Sequence, residues 1–185
     1  MTPETPDRLE ATLAHAKKDG VTVEADGTSL RRYAHGVTLR PLTTHVDDRG
    51  SLTELFDERW GYPHPLVSAN TFTIRPGVVK GWGLHKLHQD RYVVLHGEME
   101  IVMYDPRPDS PTCGEVSHVY LSGANRVIVN VPEFVWHADR NIGSTDVLVV
   151  NFPTRPYDYE NPDKYRLPLD TPHIPHRFPE GTVGN

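Results

Sequence analysis

Gly77–Asp105, GVVKGWGLHKLHQDRYVVLHGEMEIVMYD, is the stretch that decides the fold. Within it, Glu98 to Asp105 alternates with a period of two. Met99, Ile101 and Met103 fall on one face, and Glu100, Val102 and Tyr104 on the other. Such alternation is the signature of a strand. Tyr92–His96 is a second β-prone run, and His96-Gly97-Glu98 reads as the turn between the two. His85 therefore lies near a strand end beside glycines, where a side chain can point into a cavity.

Working outward, strands are expected at Val37–Leu42, Ser51–Phe56, Val67–Ile74, Val78–Lys80, Val116–Leu121, Arg126–Val131, Val135–Ala138 and Val147–Asn151. Many short strands separated by turns point to an all-β barrel or sandwich. The composition agrees: 185 residues, 37% hydrophobic, 17 prolines and 14 glycines. That length suits one domain with a sizeable core. Residues 1–20 read as a short helix, with Thr5 as N-cap, Pro6 in the first turn and Gly20 as the stop. The division expected is 1–35 for this helix and lead-in, 36–152 for the β core, and 153–185 for a proline-rich arm packed on the same domain. Histidines 173 and 176 in that arm are expected to be solvated.

A net charge of −6 argues against nucleic acid as a partner, since phosphate backbones need a basic surface. Cys113 is the only cysteine, which excludes a disulfide framework and a cysteine zinc site. No apolar run approaches the roughly 18 residues of a membrane span, and the N-terminus shows no signal-peptide core. A cytoplasmic protein with no membrane partner is the expectation. Phosphate-loop, dinucleotide-binding and nucleophile-elbow motifs are absent.

A partner stretch lies at Pro132–Asn141, PEFVWHADRN. With Gly77–Asp105 it resembles the paired motifs of the cupin jelly roll. Asp90 and Gly97 match the carboxylate and glycine of the first motif and His85 its second histidine, while Gly83 occupies the place of the first histidine. Pro132, His137 and Asn141 match the second motif, with Phe134 where glycine is usual. Asp47–Phe56, DDRGSLTELF, further resembles the opening motif of the dTDP-4-dehydrorhamnose 3,5-epimerase (dTDP-sugar isomerase) family. The likeness continues through Gly77-Val-Val-Lys80-Gly, Gly83-Leu-His85, the turn Asp105-Pro-Arg107 to Thr112, and Tyr157-Asp-Tyr-Glu-Asn-Pro to Asp170.

The resemblance implies an epimerase or isomerase of a nucleotide-linked 4-keto-6-deoxy sugar, working without a cofactor as a homodimer. It implies that His85 is the base and Asp170 the carboxylate behind it. Arg49 would contact the diphosphate, Glu54 the nucleotide end, and Lys80 would stand as a second phosphate cation. Imidazole titrates near neutral pH, as proton abstraction beside a ketone requires. The chain departs from the family where its active-site lysine falls on Asp90, beside Arg91, and its acid tyrosine on Asn151. Arg91 and Asn151 are the candidates to hold an enolate oxygen. Trp82, His137 and Tyr157 are read as substrate contacts.

Two other readings stay open. A metal-dependent cupin would use His85, His88, Asp90 and His137 for a divalent ion, although His85 and His88, at i and i+3, should point to opposite faces of a strand unless the chain bulges. A non-catalytic sugar-binding cupin would keep the pocket without the chemistry.

Overall fold

The structure, a computed structural model, describes residues 8–184. The chain forms two units, residues 1–32 and 33–185. In the first, a six-residue helix spans Arg8–Leu13, and a lone β-bridge joins Val23 to Ser29. The helix stops well before Gly20, and the expected caps Thr5 and Pro6 lie outside the described residues.

The second unit is two facing antiparallel sheets. One contains β1 (Thr38–Pro41), β4 (Asn70–Ile74), β6 (Asp90–His96), β9 (Val127–Val131) and β11 (Val147–Asn151), in the order β1-β9-β6-β11-β4. The other contains β5 (Val78–Leu84), β7 (Glu98–Tyr104), β8 (Val116–Ser122), β10 (Trp136–Asn141) and β12 (Tyr165–Arg166), in the order β12-β5-β10-β7-β8. β13 (Val183–Gly184) pairs with β5 in parallel. A separate hairpin of β2 (Thr44–Asp47) and β3 (Gly50–Thr53) pairs only with itself among the described residues. This is the cupin jelly roll. No helix among the described residues is long and apolar enough to cross a membrane.

The alternation read in Glu98–Asp105 does the sorting. Met99, Ile101 and Met103 are fully buried against Val94, Val129 and Val149 of the opposite sheet. Fully burying each such side chain stabilises the fold by about 1.5–3 kcal/mol. Val102 and Tyr104 face outward into a second cluster with Trp82, Ala138, Ile174 and Phe178. Gly97, at φ +81, carries the chain from β6 to β7, which belong to different sheets. A side chain there would sit 2.9 Å from the Asp146 carbonyl, so glycine is required by space as well as by φ.

Two expectations change here. Trp82 is completely buried in the outer cluster, its ring tilted against Phe178, and does not face the cavity. Gly81 and Gly83 line the cavity on either side of it, so strand alternation turns Trp82 the other way. His176 is half-buried rather than solvated: its ring packs against Trp82 and Phe178.

Candidate active site

A cavity of about 620 Å³ opens between the sheets, walled by β4, β5, β6, β10 and the segment 153–166. β6 begins at Asp90, and alternation points Asp90 and Tyr92 inward together. β10 does the same with His137 and Asp139, and Asn151 closes β11. β5 ends at Leu84, just before His85.

Asp90 is the centre. Its carboxylate accepts hydrogen bonds from the Tyr92 hydroxyl (2.8 Å) and Asn151 Nδ2 (2.7 Å). His85 Nε2 lies 3.1 Å from Oδ2, His137 Nε2 3.6 Å from Oδ2, and His88 Nε2 3.8 Å from Oδ1. Burial disfavours the Asp90 charge, but the hydrogen bond and charge of His85, with His137 and Asn151, outweigh it and hold the carboxyl well below the usual carboxylate range. Burial also works against a charged His85, yet the Asp90 hydrogen bond prevails and raises its pKa. For His137 burial outweighs the Asp90 charge and pushes it down to about 4.

The loop after β5 is held by Asp163. Its carboxylate accepts the Lys86 and Leu87 N–H groups at 3.0 and 2.7 Å and lies 2.9 Å from His88 Nδ1. Its backbone carbonyl accepts His85 Nδ1. The i, i+3 argument against convergence of His85 and His88 assumed a continuing strand. The strand has ended, the loop bends around Asp163, and the two rings stand 4.0 Å apart. Phe134 explains the glycine expected at its place: it adopts φ +62, and its N–H donates to the His85 carbonyl at 2.8 Å.

Other expected residues are placed differently. Asp170 is exposed and does not line the cavity; the carboxylate beside His85 is Asp90. Arg91, between the inward Asp90 and Tyr92, points outward. It donates to the carbonyls of His64, Pro65 and Phe152 and lies over the Phe56 ring. Asn151 faces the cavity, but its amide is engaged at both ends, by Asp90 and by the Arg91 N–H. Arg49 and Glu54 belong to the β2–β3 region and do not line this cavity; Arg49 is exposed and paired with Asp47. Lys80, His137 and Tyr157 do line it.

The sequence reading missed Asp139, Asp163, Lys164, Arg155 and Arg166, all of which line the cavity. Asp139 was within reach of the period-two rule, two residues after His137. It is buried, its Oδ1 has no hydrogen-bond partner, and burial, with Asp90 nearby, pushes its carboxyl up to about 8. Burial lowers the pKa of Lys164, with Arg166 adding to the effect. The cavity thus joins a histidine–carboxylate centre, a second carboxyl able to carry a proton at neutral pH, and several cations.

The comparisons with known proteins give the class, a carbohydrate epimerase of the cupin type. Over residues 45–165, more than half of its length, the chain matches the model of the polysaccharide biosynthesis C-terminal domain, and it belongs to that family. It is 37% identical over 139 residues to the probable low-salt glycan biosynthesis epimerase Agl13 of Haloferax volcanii, covering 74% of this chain and 88% of that protein. It is 32% identical over 135 residues to the spore coat polysaccharide biosynthesis protein SpsL of Bacillus subtilis, covering 73% and 89%. Among solved structures it resembles a dTDP sugar isomerase from Desulfovibrio desulfuricans, with TM-score 0.72 and 26% identity over 77% of this chain and 90% of that one.

Proposed function

We propose that this chain epimerises or isomerises a nucleotide-linked 4-keto-6-deoxy sugar, of the dTDP type, in polysaccharide or deoxysugar biosynthesis. The observation that carries the reading is the Asp90-centred histidine cluster on the wall of a cavity large enough for a hexose. Removal of a proton beside the C4 ketone gives an enolate. Returning a proton from the opposite face inverts the carbon; returning it elsewhere along the enediolate moves the ketone. The chemistry needs a base, a group that holds the developing oxyanion, and a proton source.

The resemblance gives His85 the part of base. Its Nδ1 donates to the Asp163 carbonyl, so in the neutral ring Nε2 carries the lone pair, and in the imidazolium the Nε2–H donates to Asp90. Asp90 at 3.1 Å would stabilise the imidazolium once formed. Asp139 supplies a second proton-carrying group in the same cavity. The exposed Arg155 and Arg166 are suited to a diphosphate, because a guanidinium forks onto paired phosphate oxygens. Neither the family lysine nor the family tyrosine is present, which favours a single-centre epimerisation or a keto-isomerisation over a double inversion.

Incubating dTDP-4-keto-6-deoxyglucose with the purified chain and following the sugar ring protons by NMR tests this. A new set of ring-proton couplings is expected. Unchanged substrate, with the protein folded and the nucleotide bound, would refute the reading for this sugar.

A further inference from the structure

Asp139 is set apart from the hydrogen-bonded Asp90 cluster. It is 5% exposed on β10, two residues past His137, and alternation turns both side chains into the cavity. At about 3.3 Å per residue it stands roughly 7 Å along the wall from His137. Its Oδ1 has no hydrogen-bond partner among the described residues. Lys80 is its neighbour in the β5–β10 register, but the Lys80 amine lies over the Phe72 ring at 5.7 Å. Gly81 and Gly83, the cavity-lining residues further along β5, carry no side chain to reach it. Gly81 is held to glycine by space, since a Cβ there would fall 2.4 Å from that of Ala138. Ile101, opposite Asp139 on β7, is apolar and fully buried.

A buried carboxyl without a partner keeps its proton in preference to its charge. Burial and the Asp90 charge favour the protonated form, and Lys164, Lys80 and His85 oppose it without prevailing. Other groups in the cavity have their protons committed elsewhere. The Tyr92 hydroxyl donates to Asp90, and burial with that charge raises its pKa well above the ordinary tyrosine range. His137 is uncharged at neutral pH, with Nδ1 against the Val135 carbonyl. The Asn151 amide is no acid and is engaged by Asp90 and Arg91.

We propose that Asp139 is the proton donor of the reaction, returning a proton to the enolate from a different part of the wall than the one where His85 removes it. The assignment rests on the enolisation reading and fills the place that the resemblance gives to a tyrosine. His85 Nε2 takes the proton beside the C4 ketone, and the C–H electron pair becomes the C=C of the enolate. That pair then forms a new C–H bond with the Asp139 proton, and the ketone is restored. His85 is left as imidazolium and Asp139 as carboxylate; proton exchange with water through the cavity mouth resets both. Inversion needs a donor separate from the base, because one group that takes and returns the proton on one face restores the starting sugar.

Asp139→Asn tests this, since it replaces a protonated carboxyl by a neutral group of the same shape and is expected to fold with unchanged Tm. Parent and variant are incubated with dTDP-4-keto-6-deoxyglucose in deuterium oxide and followed by NMR. The parent should give inverted product carrying deuterium at the new centre. In the variant, deuterium should still enter that carbon with the starting configuration kept, while inverted product falls by about 100-fold or more. A merely structural role would lower exchange and inversion together, and that result in the folded variant would overturn the assignment. Inverted product formed at the parental rate would overturn it as well. Infrared difference spectra of parent minus variant at neutral pH should show the carbonyl stretch of a protonated carboxyl; its absence would overturn the proposal whatever the protein does to this sugar. Parent protein that shows the band but neither exchanges nor inverts the sugar would overturn the functional reading, and the donor role with it.

Discussion

Replacing Asp163 with alanine separates the scaffold of the site from its chemistry. The carboxylate accepts two loop N–H groups and His88 Nδ1, while the anchor of His85 is the Asp163 backbone carbonyl, which alanine retains. Hydrogen bonds to a charged group contribute about 1.5–3 kcal/mol each when well sheltered. Lys86 and Leu87 are exposed, and their N–H groups find water in the variant, so about 1 kcal/mol per bond is the better figure. Three bonds give about 3 kcal/mol. At this chain length that lowers Tm by about 6–12 °C. His88 swings free while His85 and Asp90 stay, and turnover is expected to fall because the ring packed beside His85 is no longer held. Thermal melts and turnover assays on the same preparation read both effects. An unchanged Tm would refute the loop account, and a lowered Tm with full turnover would show that His88 need not be held.

Arg91→Met tests the reassignment of Arg91 from catalysis to structure. It strands three carbonyl acceptors and removes the cation over Phe56, so stability should drop by about 2–4 kcal/mol while activity per folded molecule stays within a few-fold; a stable but inactive variant would restore the catalytic role. Asp105 carries a pH signature. It is fully buried, and although burial works against its charge, hydrogen bonds from Arg107, Ser110 and Thr112 lower its pKa below the ordinary 3.8. Its stabilisation is therefore complete above pH 3.8 and lost as the pH falls through the depressed folded value. Urea midpoints measured from pH 7 downward should decline below about pH 4. In Asp105→Asn the unfolding free energy should start about 3 kcal/mol lower, because Arg107 has lost its partner, and the midpoints should decline less steeply there, because the titrating carboxyl is gone; parallel curves would contradict this.

Much of the fold was legible because alternation is a strong signal where one strand face is core. Met99, Ile101 and Met103 were assigned to the buried face from spacing, and they lie there. The same rule, applied to β6, would have put Arg91 opposite Asp90 and Tyr92, and applied to β5 would have turned Trp82 away from Gly81 and Gly83. Both residues were instead read by proximity in sequence to a motif, which strand geometry does not respect. The pairing of His85 with Asp90 and His137 was present in the two half-motifs. Asp163 was not legible. It lies 78 residues from His85, in a proline-rich stretch with no periodicity, and reaches the loop only through tertiary folding. The convergence of His88 was hidden for the same reason, since the bend that brings it in depends on Asp163.

The central claim is that the Asp90 cluster enolises a 4-keto sugar nucleotide. Proton NMR of dTDP-4-keto-6-deoxyglucose in deuterium oxide tests it most directly, with the parent chain, His85→Asn and a chelated sample run side by side. The account predicts loss of the proton signal at C3 or C5 with the parent, and none with His85→Asn. The chelated sample should exchange at the parent's rate. Both ring protons persisting in the presence of folded parent protein would contradict the account.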